Sequence, residues 1–164
     1  MNQINNYINR LNSFNLNTVN IYDCFYYNEK FDEENLVYCD ICKQKVTMVS
    51  KTVLYLTPEI LILIVNIGNE LEDNVKLEFY ENINLINYIT AQNTGFKFKL
   101  IGVVTINKGE SNNRRHFIAY CMSPISLEWF KYDDDLVTLV VNFKEEVIDS
   151  IPYILFYQKI DGMN

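Results

Sequence analysis

The chain has 164 residues with a formal net charge of -7, and 49% of the residues are hydrophobic. This length and composition are typical of one folded domain with a hydrophobic core and exclude a disordered chain. The acidic balance argues against a general nucleic-acid binder. No window holds the roughly 18 consecutive apolar residues of a membrane-spanning helix, and residues 1–6 lack the basic and apolar regions of a secretory signal. We therefore expect an intracellular protein, cytoplasmic or nuclear, with no nucleic-acid and no membrane partner.

The N-terminal part of the chain predicts little regular structure. Residues 1–18 are rich in asparagine and show no clean apolar period, which is typical of a loose arm. Residues 21–35 predict one or two short helices, because apolar side chains recur there at helical spacing. The predicted inner face of this helical part consists of Ile21, Cys24, Phe25 and Phe31.

Most of the remaining sequence predicts strands, since β-branched and aromatic residues recur in short runs between turn-forming residues. The predicted strands are 46–55, 60–67, 75–79, 96–106, 117–122, 127–132, 136–142 and 153–158. The run 60–67 is continuously apolar, which favours a strand buried on both faces. No repeat or linker divides the sequence. We predict one α+β domain, mostly antiparallel β, with a small helical N-terminal part.

Cys39 and Cys42 form a C-x-x-C pair among the four cysteines of the chain. In a chain without an export signal, this spacing indicates metal binding or redox chemistry more than a structural disulfide. A structural zinc site needs four ligands, which are typically supplied by two such pairs. Two interpretations of the pair therefore remain: half of a zinc site, or two ordinary thiols in a hairpin turn.

His116 is the only histidine in the sequence. It follows the polar stretch 108–115 and opens a predicted strand, where a catalytic side chain can be held on a rigid element beside a loop. The acidic residues Asp133, Asp134 and Asp135 begin 133 − 116 = 17 residues later, and a hairpin would bring one of them to the imidazole. Such a carboxylate would fix the tautomer of the histidine and stabilise the imidazolium. The alternative is a solvated acidic turn.

Neither of the two remaining cysteines has the surroundings of a nucleophile. Cys24 lies beside Asp23, whose negative charge opposes thiolate formation. Cys121 follows His116 by five residues in one predicted strand, so its side chain is expected on the opposite face. Whether this chain is an enzyme therefore stays open on these residues alone.

Several short motifs follow one another in a fixed order along the chain. They are Ile21-Tyr22-Asp23-Cys24-Phe25, Tyr38-Cys39-x-x-Cys42-Lys43, Leu56-Thr57-Pro58-Glu59-Ile60, Phe98-Lys99-Leu100-Ile101-Gly102, His116-Phe117-Ile118-Ala119-Tyr120, and the segments 129–135 and 152–157. Together and in this order they resemble the C-terminal part of the catalytic domain of ubiquitin-specific proteases, which are papain-like ubiquitin carboxyl-terminal hydrolases. The resemblance covers residues 19–159 and leaves an arm of residues 1–18 and a tail of residues 160–164.

The resemblance implies the fingers and palm of a fingers–palm–thumb architecture, with the thumb missing. It also implies a deubiquitinating thiol hydrolase that cleaves the isopeptide bond after the C-terminal glycine of ubiquitin. His116 would be the base and Asp133 the acid that orients it, with Asp134 as second choice.

Further residue roles follow from the same resemblance. Phe117, Trp129 and Tyr120 would bind the substrate, which is ubiquitin or a ubiquitinated protein. Cys39 and Cys42 would supply half of a structural zinc site, and no other cofactor is implied.

Three departures from the family pattern affect the expected activity. The cysteine box of the nucleophile and the first C-x-x-C pair have no counterpart in this sequence. Arg115 stands where the family usually has glycine before the histidine. We expect its long side chain to crowd the cleft and its positive charge to lower the pKa of His116. The sequence thus predicts either a deubiquitinase completed by an upstream segment or a second chain, or a catalytically inactive domain (a pseudoenzyme) that binds ubiquitin or scaffolds a larger assembly.

Overall fold

A computed structural model of the chain describes residues 18–29, 35–48, 54–65, 76–90, 95–108 and 115–160. The strands are β1 (Thr18–Asn20), β2 (Asn35–Cys39), β3 (Gln44–Met48), β4 (Ile60–Ile64), β5 (Lys76–Glu78), β6 (Asn82–Asn84), β7 (Lys97–Lys108), β8 (Arg115–Met122), β9 (Trp129–Asp133), β10 (Leu136–Leu139) and β11 (Pro152–Lys159). One α-helix, α1 (Ile21–Glu29), a 3-10 turn (Ile86–Tyr88) and a π-helical turn (Lys144–Ile148) complete the described elements. No helix in these ranges is long and apolar enough to cross a membrane.

A seven-stranded sheet contains seven of the eleven described strands. Its strand order is β10-β9-β8-β7-β11-β4, and β6 pairs with the start of β7. Every pairing within this sheet is antiparallel. The prediction of a mostly antiparallel α+β domain is therefore confirmed.

The core lies against the two central strands of this sheet. Phe98 and Leu100 on β7 and Leu155 and Tyr157 on β11 are fully buried. The register between these strands shifts where Phe156 pairs with Gly102 and Tyr157 pairs with Leu100, which is a β-bulge. The bulge changes the phase of the side chains, so that the next buried side chains on β7 are those of Val103 and Thr105. The continuous apolar stretch in 96–106 is explained by this change of phase.

Strand β4 differs from the prediction for residues 60–67. It covers Ile60–Ile64 and, among the described residues, pairs only with β11, at the edge of the sheet. Ile60, Ile62 and Ile64 are 41%, 53% and 69% exposed, while Leu61 and Leu63 pack against the core. The predicted burial on both faces is wrong, because a continuous apolar run does not reveal whether a second layer covers the strand.

The helix α1 begins with an Asn20 cap. The side chain of Asn20 accepts a hydrogen bond from the backbone N–H of Tyr22 at 2.9 Å, and Asp23 accepts one from the N–H of Asn20 at 3.1 Å, a reciprocal arrangement that satisfies donors at a helix start. Ile21 is buried and Phe25 packs against the core, as predicted. Cys24 is exposed, which corrects its assignment to the inner face; Phe31 lies outside the described residues.

The segment around the C-x-x-C pair forms a two-stranded hairpin of β2 and β3. Residues 40–43 make its turn, so the C-x-x-C pair lies at the turn of a hairpin, which fits both interpretations of the two thiols. Of the strand predicted for 46–55, residues 46–48 belong to β3, and Leu54 makes an isolated bridge with Ile89. Residues 49–53 lie outside the described part of the chain.

Candidate active site

The pairing of β8 with β9 places His116 near Asp133. Tyr120 pairs with Lys131 and Ala119 with Tyr132, and one further step of this register sets Asp133 opposite Ile118. Because side chains two residues apart lie on the same face of a strand, His116 shares the face of Ile118 and is the diagonal neighbour of Asp133. The predicted hairpin geometry for the separation of 17 residues is therefore found.

The imidazole and the carboxylate are in direct contact. Nε2 of His116 is 2.5 Å from Oδ1 of Asp133. Oδ2 of the same carboxylate is 3.0 Å from Nζ of Lys131. The His116 side chain is 42% exposed and the Asp133 side chain 26% exposed, so the pair lies at the surface end of the sheet and remains accessible.

The contact shifts the pKa values of both groups in opposite directions. The hydrogen bond that His116 donates to Asp133, with the charges of Asp133 and Asp134, raises the pKa of His116 above its ordinary value, against the opposing effects of desolvation and of Lys131. The hydrogen bonds from His116 and Lys131 lower the pKa of Asp133. The net pKa shift of His116 is therefore upward, not downward as expected, and the adjacent carboxylates cause it. The side chain of Arg115 lies outside the described part of the structure, so its own effect stays a prediction.

These shifts fix the roles of the two imidazole nitrogens. Asp133 is ionised over the range in which His116 titrates, so it accepts a hydrogen bond and Nε2 carries the proton. In the neutral imidazole the lone pair is therefore on Nδ1. Because the pKa of His116 is raised, its protonated form stabilises the fold fully below the unfolded-state pKa, and this effect is lost as the pH rises through the folded-state pKa. Because the pKa of Asp133 is lowered, its ionised form stabilises the fold fully above the unfolded-state pKa, and this effect is lost as the pH falls through the folded-state pKa.

Asp134 and Asp135 form the two-residue turn between β9 and β10, since Asp133 pairs with Leu136. Asp134 has a φ of 51°, a left-handed conformation that aspartate tolerates better than most residues. A ring nitrogen of His116 and one carboxylate oxygen each of Asp133 and Asp134, all atoms that can ligate a metal ion, lie within 4.8 Å of one another. Of the two candidate carboxylates, Asp133 makes the direct contact with the imidazole and Asp134 acts on it through its charge.

The three residues predicted to bind substrate occupy different surroundings. Phe117 is 46% exposed, follows His116 on β8 and lies on the opposite face, where its ring is 5.3 Å from that of Tyr153. Tyr120 and Trp129 are buried in the core, and the Trp129 ring packs against Phe143 at 4.7 Å. Their place in substrate binding stays a prediction, whereas their burial gives them a packing role under the sheet.

No cysteine of the described residues lies within hydrogen-bonding distance of His116. Cys121 follows the imidazole by an odd number of positions along β8, so its side chain is on the other face. Desolvation raises the pKa of the Cys121 thiol, and desolvation together with the charge of Asp23 raises the pKa of Cys24. Neither residue has the lowered pKa of an activated thiolate.

Cys39 and Cys42 are brought together at the turn of the β2–β3 hairpin. Their Sγ atoms are 3.1 Å apart, and the backbone N–H of Cys42 donates to Sγ of Cys39 at 3.4 Å. Hydrogen bonds from the backbone and side chain of Cys42 and from the backbone of Ile41 lower the pKa of Cys39, while the same side-chain contact raises the pKa of Cys42. Lys43, at φ 55°, closes the turn by donating its N–H to the carbonyl of Cys39.

Lys131 is a member of the site that the sequence analysis does not single out. It lies two residues before Asp133 on β9 and shares its face. This spacing is visible in the sequence, but a lysine two residues from an aspartate is common, and only the paired strands show that the lysine contacts the aspartate that holds the histidine.

Comparisons with known proteins place the chain in a family. The sequence model of the ubiquitin carboxyl-terminal hydrolases matches residues 1–157. The chain is 28% identical over 134 residues to human Ubiquitin carboxyl-terminal hydrolase 17-like protein 1, covering 79% of this chain and 24% of that protein. It is also 28% identical over 140 residues to Probable ubiquitin carboxyl-terminal hydrolase 16 of Schizosaccharomyces pombe, covering 82% of this chain and 30% of that protein.

A solved structure shares the fold. The SAGA Ubp8/Sgf11/Sus1/Sgf73 DUB module bound to ubiquitin aldehyde contains a chain that matches with a TM-score of 0.68 at 22% sequence identity. The match covers 88% of this chain and 35% of the other. The chain thus spans between about a quarter and a third of the length of its relatives. By the family model that matches nearly its whole length, this chain belongs to the ubiquitin carboxyl-terminal hydrolase family.

Proposed function

We propose that this chain supplies the histidine and the aspartate of a cysteine-type deubiquitinase, which cleaves the isopeptide bond after the C-terminal glycine of ubiquitin. The observation that carries the proposal is the contact of Nε2 of His116 with Oδ1 of Asp133. The contact joins neighbouring strands at an accessible end of the sheet, in a chain of a family named for ubiquitin hydrolysis. The imidazole is therefore oriented by a carboxylate and can still be reached by a reacting thiol.

The chemistry follows from the two nitrogens of His116. Nδ1 takes the proton of a cysteine thiol, and the thiolate attacks the carbonyl carbon of the scissile bond. The imidazolium then returns this proton to the leaving amine, while Asp133 holds the ring through Nε2. The raised pKa of His116 favours the imidazolium, which is the form that pairs with a thiolate before attack.

The nucleophile belongs, in this proposal, to a part of the enzyme outside these 164 residues. Support comes from the thiols of the chain, since none of them pairs with His116. The pKa values of Cys24 and Cys121 are raised, and Cys39, whose pKa is lowered, lies in the β2–β3 hairpin. The partial coverage of the relatives agrees with this arrangement. This chain would then form the fingers and palm, and an upstream segment or a second chain would supply the thumb.

Ubiquitin is the proposed partner, and its C-terminal tail is the proposed ligand of the site. Phe117 offers a half-exposed aromatic surface on the residue next to the base. The solved neighbour in the DUB module is bound to ubiquitin aldehyde, which supports the same class of ligand here. The buried rings of Tyr120 and Trp129 would support the strands that carry the site.

Cys39 and Cys42 would hold a structural zinc ion together with two further ligands. Two thiols at one turn, with the first already favoured as a thiolate, fit half of a tetrahedral sulfur site. At zinc–sulfur bonds of about 2.3 Å the two sulfurs would be about 3.8 Å apart. Their present separation of 3.1 Å therefore has to open only slightly. The ion would stabilise the hairpin and take no part in hydrolysis.

The test uses ubiquitin that carries a thiol-reactive group at its C-terminus. We expect no covalent adduct with the 164-residue chain by intact mass. We expect isotope-labelled ubiquitin to show perturbed NMR signals in its C-terminal tail on addition of the chain. Phe117→Ala should weaken this binding, whereas Ile125→Ala, which removes a fully exposed apolar side chain from the β8–β9 turn, should leave it unchanged.

The outcomes separate the proposal from its rivals. An adduct that disappears in His116→Ala would show that one of the present cysteines is the nucleophile and would contradict the incomplete site. Binding of ubiquitin without an adduct, even when the chain is joined to the remainder of its domain, would favour a catalytically inactive ubiquitin-binding or scaffold domain. Absence of any binding would refute a ubiquitin site on this chain.

A further inference from the structure

The carboxylate of Asp133 is held from two sides. Its Oδ1 is 2.5 Å from Nε2 of His116, and its Oδ2 is 3.0 Å from Nζ of Lys131. Lys131 and Asp133 are two residues apart on β9, so both side chains lie on the face of the sheet that carries His116. Each oxygen of the carboxylate therefore has its own partner.

The ion pair of Lys131 is more shielded than a comparable pair elsewhere in the chain. Its lysine and aspartate side chains are 28% and 26% exposed, compared with 50% and 41% for Lys76 and Asp149. An exposed pair adds little to stability because water and salt screen it. A carboxylate held at one oxygen can turn about its last side-chain bond, whereas one held at both oxygens keeps its plane fixed. The second contact thus fixes the plane of the carboxylate and keeps one oxygen directed at the imidazole.

The charges around the imidazole point to a second effect of the lysine. The groups that act on His116 are Asp133, Asp134 and Lys131, with Arg115 preceding it on β8. The groups that act on Lys131 are Asp133 on its own strand, Tyr120 on β8 and Glu146 on the π-helical turn. Lys131 lowers the pKa of Asp133 and opposes the rise in the pKa of His116.

We propose that Lys131 is a positioning residue of the site, which holds Oδ2 of Asp133 so that Oδ1 faces Nε2 of His116 and Nδ1 is left as the proton acceptor. Its meaning for catalysis rests on the proposed deubiquitinase function. The arrangement of the side chains of His116, Lys131 and Asp133 can be measured without a nucleophile and without ubiquitin. Lys131 acts through Asp133 and touches neither the substrate nor the reacting atoms.

The single histidine of the chain makes the proposal testable by NMR, since one imidazole gives one unambiguous set of signals. The nitrogen shifts report the ratio of the two neutral tautomers, and a pH titration reports the pKa of His116. The variants are Lys131→Met, which removes the charge at similar length, and Lys131→Arg, which keeps it. Lys76→Met is the matched control, because it removes a lysine and an ion pair that do not act on His116.

In Lys131→Met we expect a smaller fraction of the tautomer with its proton on Nε2. We also expect a downward shift in the pKa of His116, because a less firmly held Asp133 weakens the hydrogen bond that contributes most to the raised pKa, whereas the charge of Lys131 contributes least. Lys131→Arg should restore both values toward those of the unmodified chain, and Lys76→Met should change neither. An unchanged tautomer ratio in Lys131→Met, a change of equal size in Lys131→Arg, or an equal change in Lys76→Met would each overturn the proposal. None of these results depends on whether the chain binds ubiquitin, so the two proposals fail separately.

Discussion

The His116–Asp133 site and the Cys39–Cys42 hairpin differ in what holds their side chains in place. The first lies on adjacent strands of the seven-stranded sheet, next to the buried Ile118. The second lies at the turn of a two-stranded sheet in which every strand residue with a described side chain is exposed or only partly buried. A geometry supported by a core is determined by this chain alone, whereas an exposed hairpin depends on whatever binds or covers it.

Large apolar side chains of the hairpin are exposed to solvent. Leu36 is 67% exposed, Tyr38 54% and Ile41 94%. Side chains of this size gain stability only when their surface leaves water. The hairpin therefore receives little stability from the core, and its two thiols supply only half of a tetrahedral site.

The largest expected effect concerns the orienting carboxylate. In the complete, nucleophile-bearing domain of the proposed function, Asp133→Ala should lower kcat by roughly 10²- to 10⁴-fold, because no side-chain oxygen then accepts the proton of Nε2 and holds the tautomer. Asp149→Ala is the matched control, since Asp149 also pairs with a lysine and has a lowered pKa but has no contact with His116. Steady-state hydrolysis of a ubiquitin C-terminal amide measures both. Equal losses in the two variants would mean that the effect is not specific to the site.

The second effect compares how much the sheet and the hairpin lose in free energy of unfolding when a leucine in each is replaced by alanine. Leu100→Ala removes a fully buried side chain from β7 and should lower the free energy of unfolding by about 2–5 kcal/mol. Leu36→Ala removes an exposed side chain of the hairpin and should change it by less than about 0.5 kcal/mol. Urea unfolding followed by circular dichroism measures both values. A loss in Leu36→Ala as large as that in Leu100→Ala would show that the hairpin is covered in solution.

The smallest expected effect is on metal binding by the hairpin. We expect the chain to bind zinc through Cys39 and Cys42, and Cys42→Ser should weaken this binding by about tenfold or more, because one of two thiolate ligands is lost. Competition with a chromophoric zinc indicator measures the affinity. Cys24→Ser is the control, as its thiol is exposed on α1, away from the C-x-x-C turn. Equal affinity in Cys42→Ser and the unmodified chain would exclude the hairpin as a zinc site.

Much of the central sheet and the main pair of the site are predictable from the sequence. The strands predicted at 96–106, 117–122 and 153–158 correspond to β7, β8 and β11. The pairing of His116 with Asp133 is predictable because a hairpin of that length brings the two segments into adjacent strands. These predictions succeed because they depend on apolar runs, turn residues and spacing, which are local properties of a sequence.

Other features could not be predicted for physical reasons. The exposure of Ile62 depends on whether another layer covers β4, which apolar composition does not reveal. The outward position of Cys24 depends on which face of α1 meets the core, and a single small side chain does not decide that. The strand β6, Asn-Ile-Asn, is short and mostly polar, so its strand propensity is weak.

By itself the sequence determined the class of fold, the ubiquitin hydrolase family motifs, and the histidine and aspartate that form the site. Only the tertiary structure decided the bulge that brings Val103 and Thr105 into the buried face of β7, the contact of Lys131 with the second oxygen of Asp133, and the direction in which the pKa of His116 shifts. The physical reason is that local patterns are set by neighbours along the chain, whereas strand register and electrostatic shifts are set by groups that meet only after the strands pair.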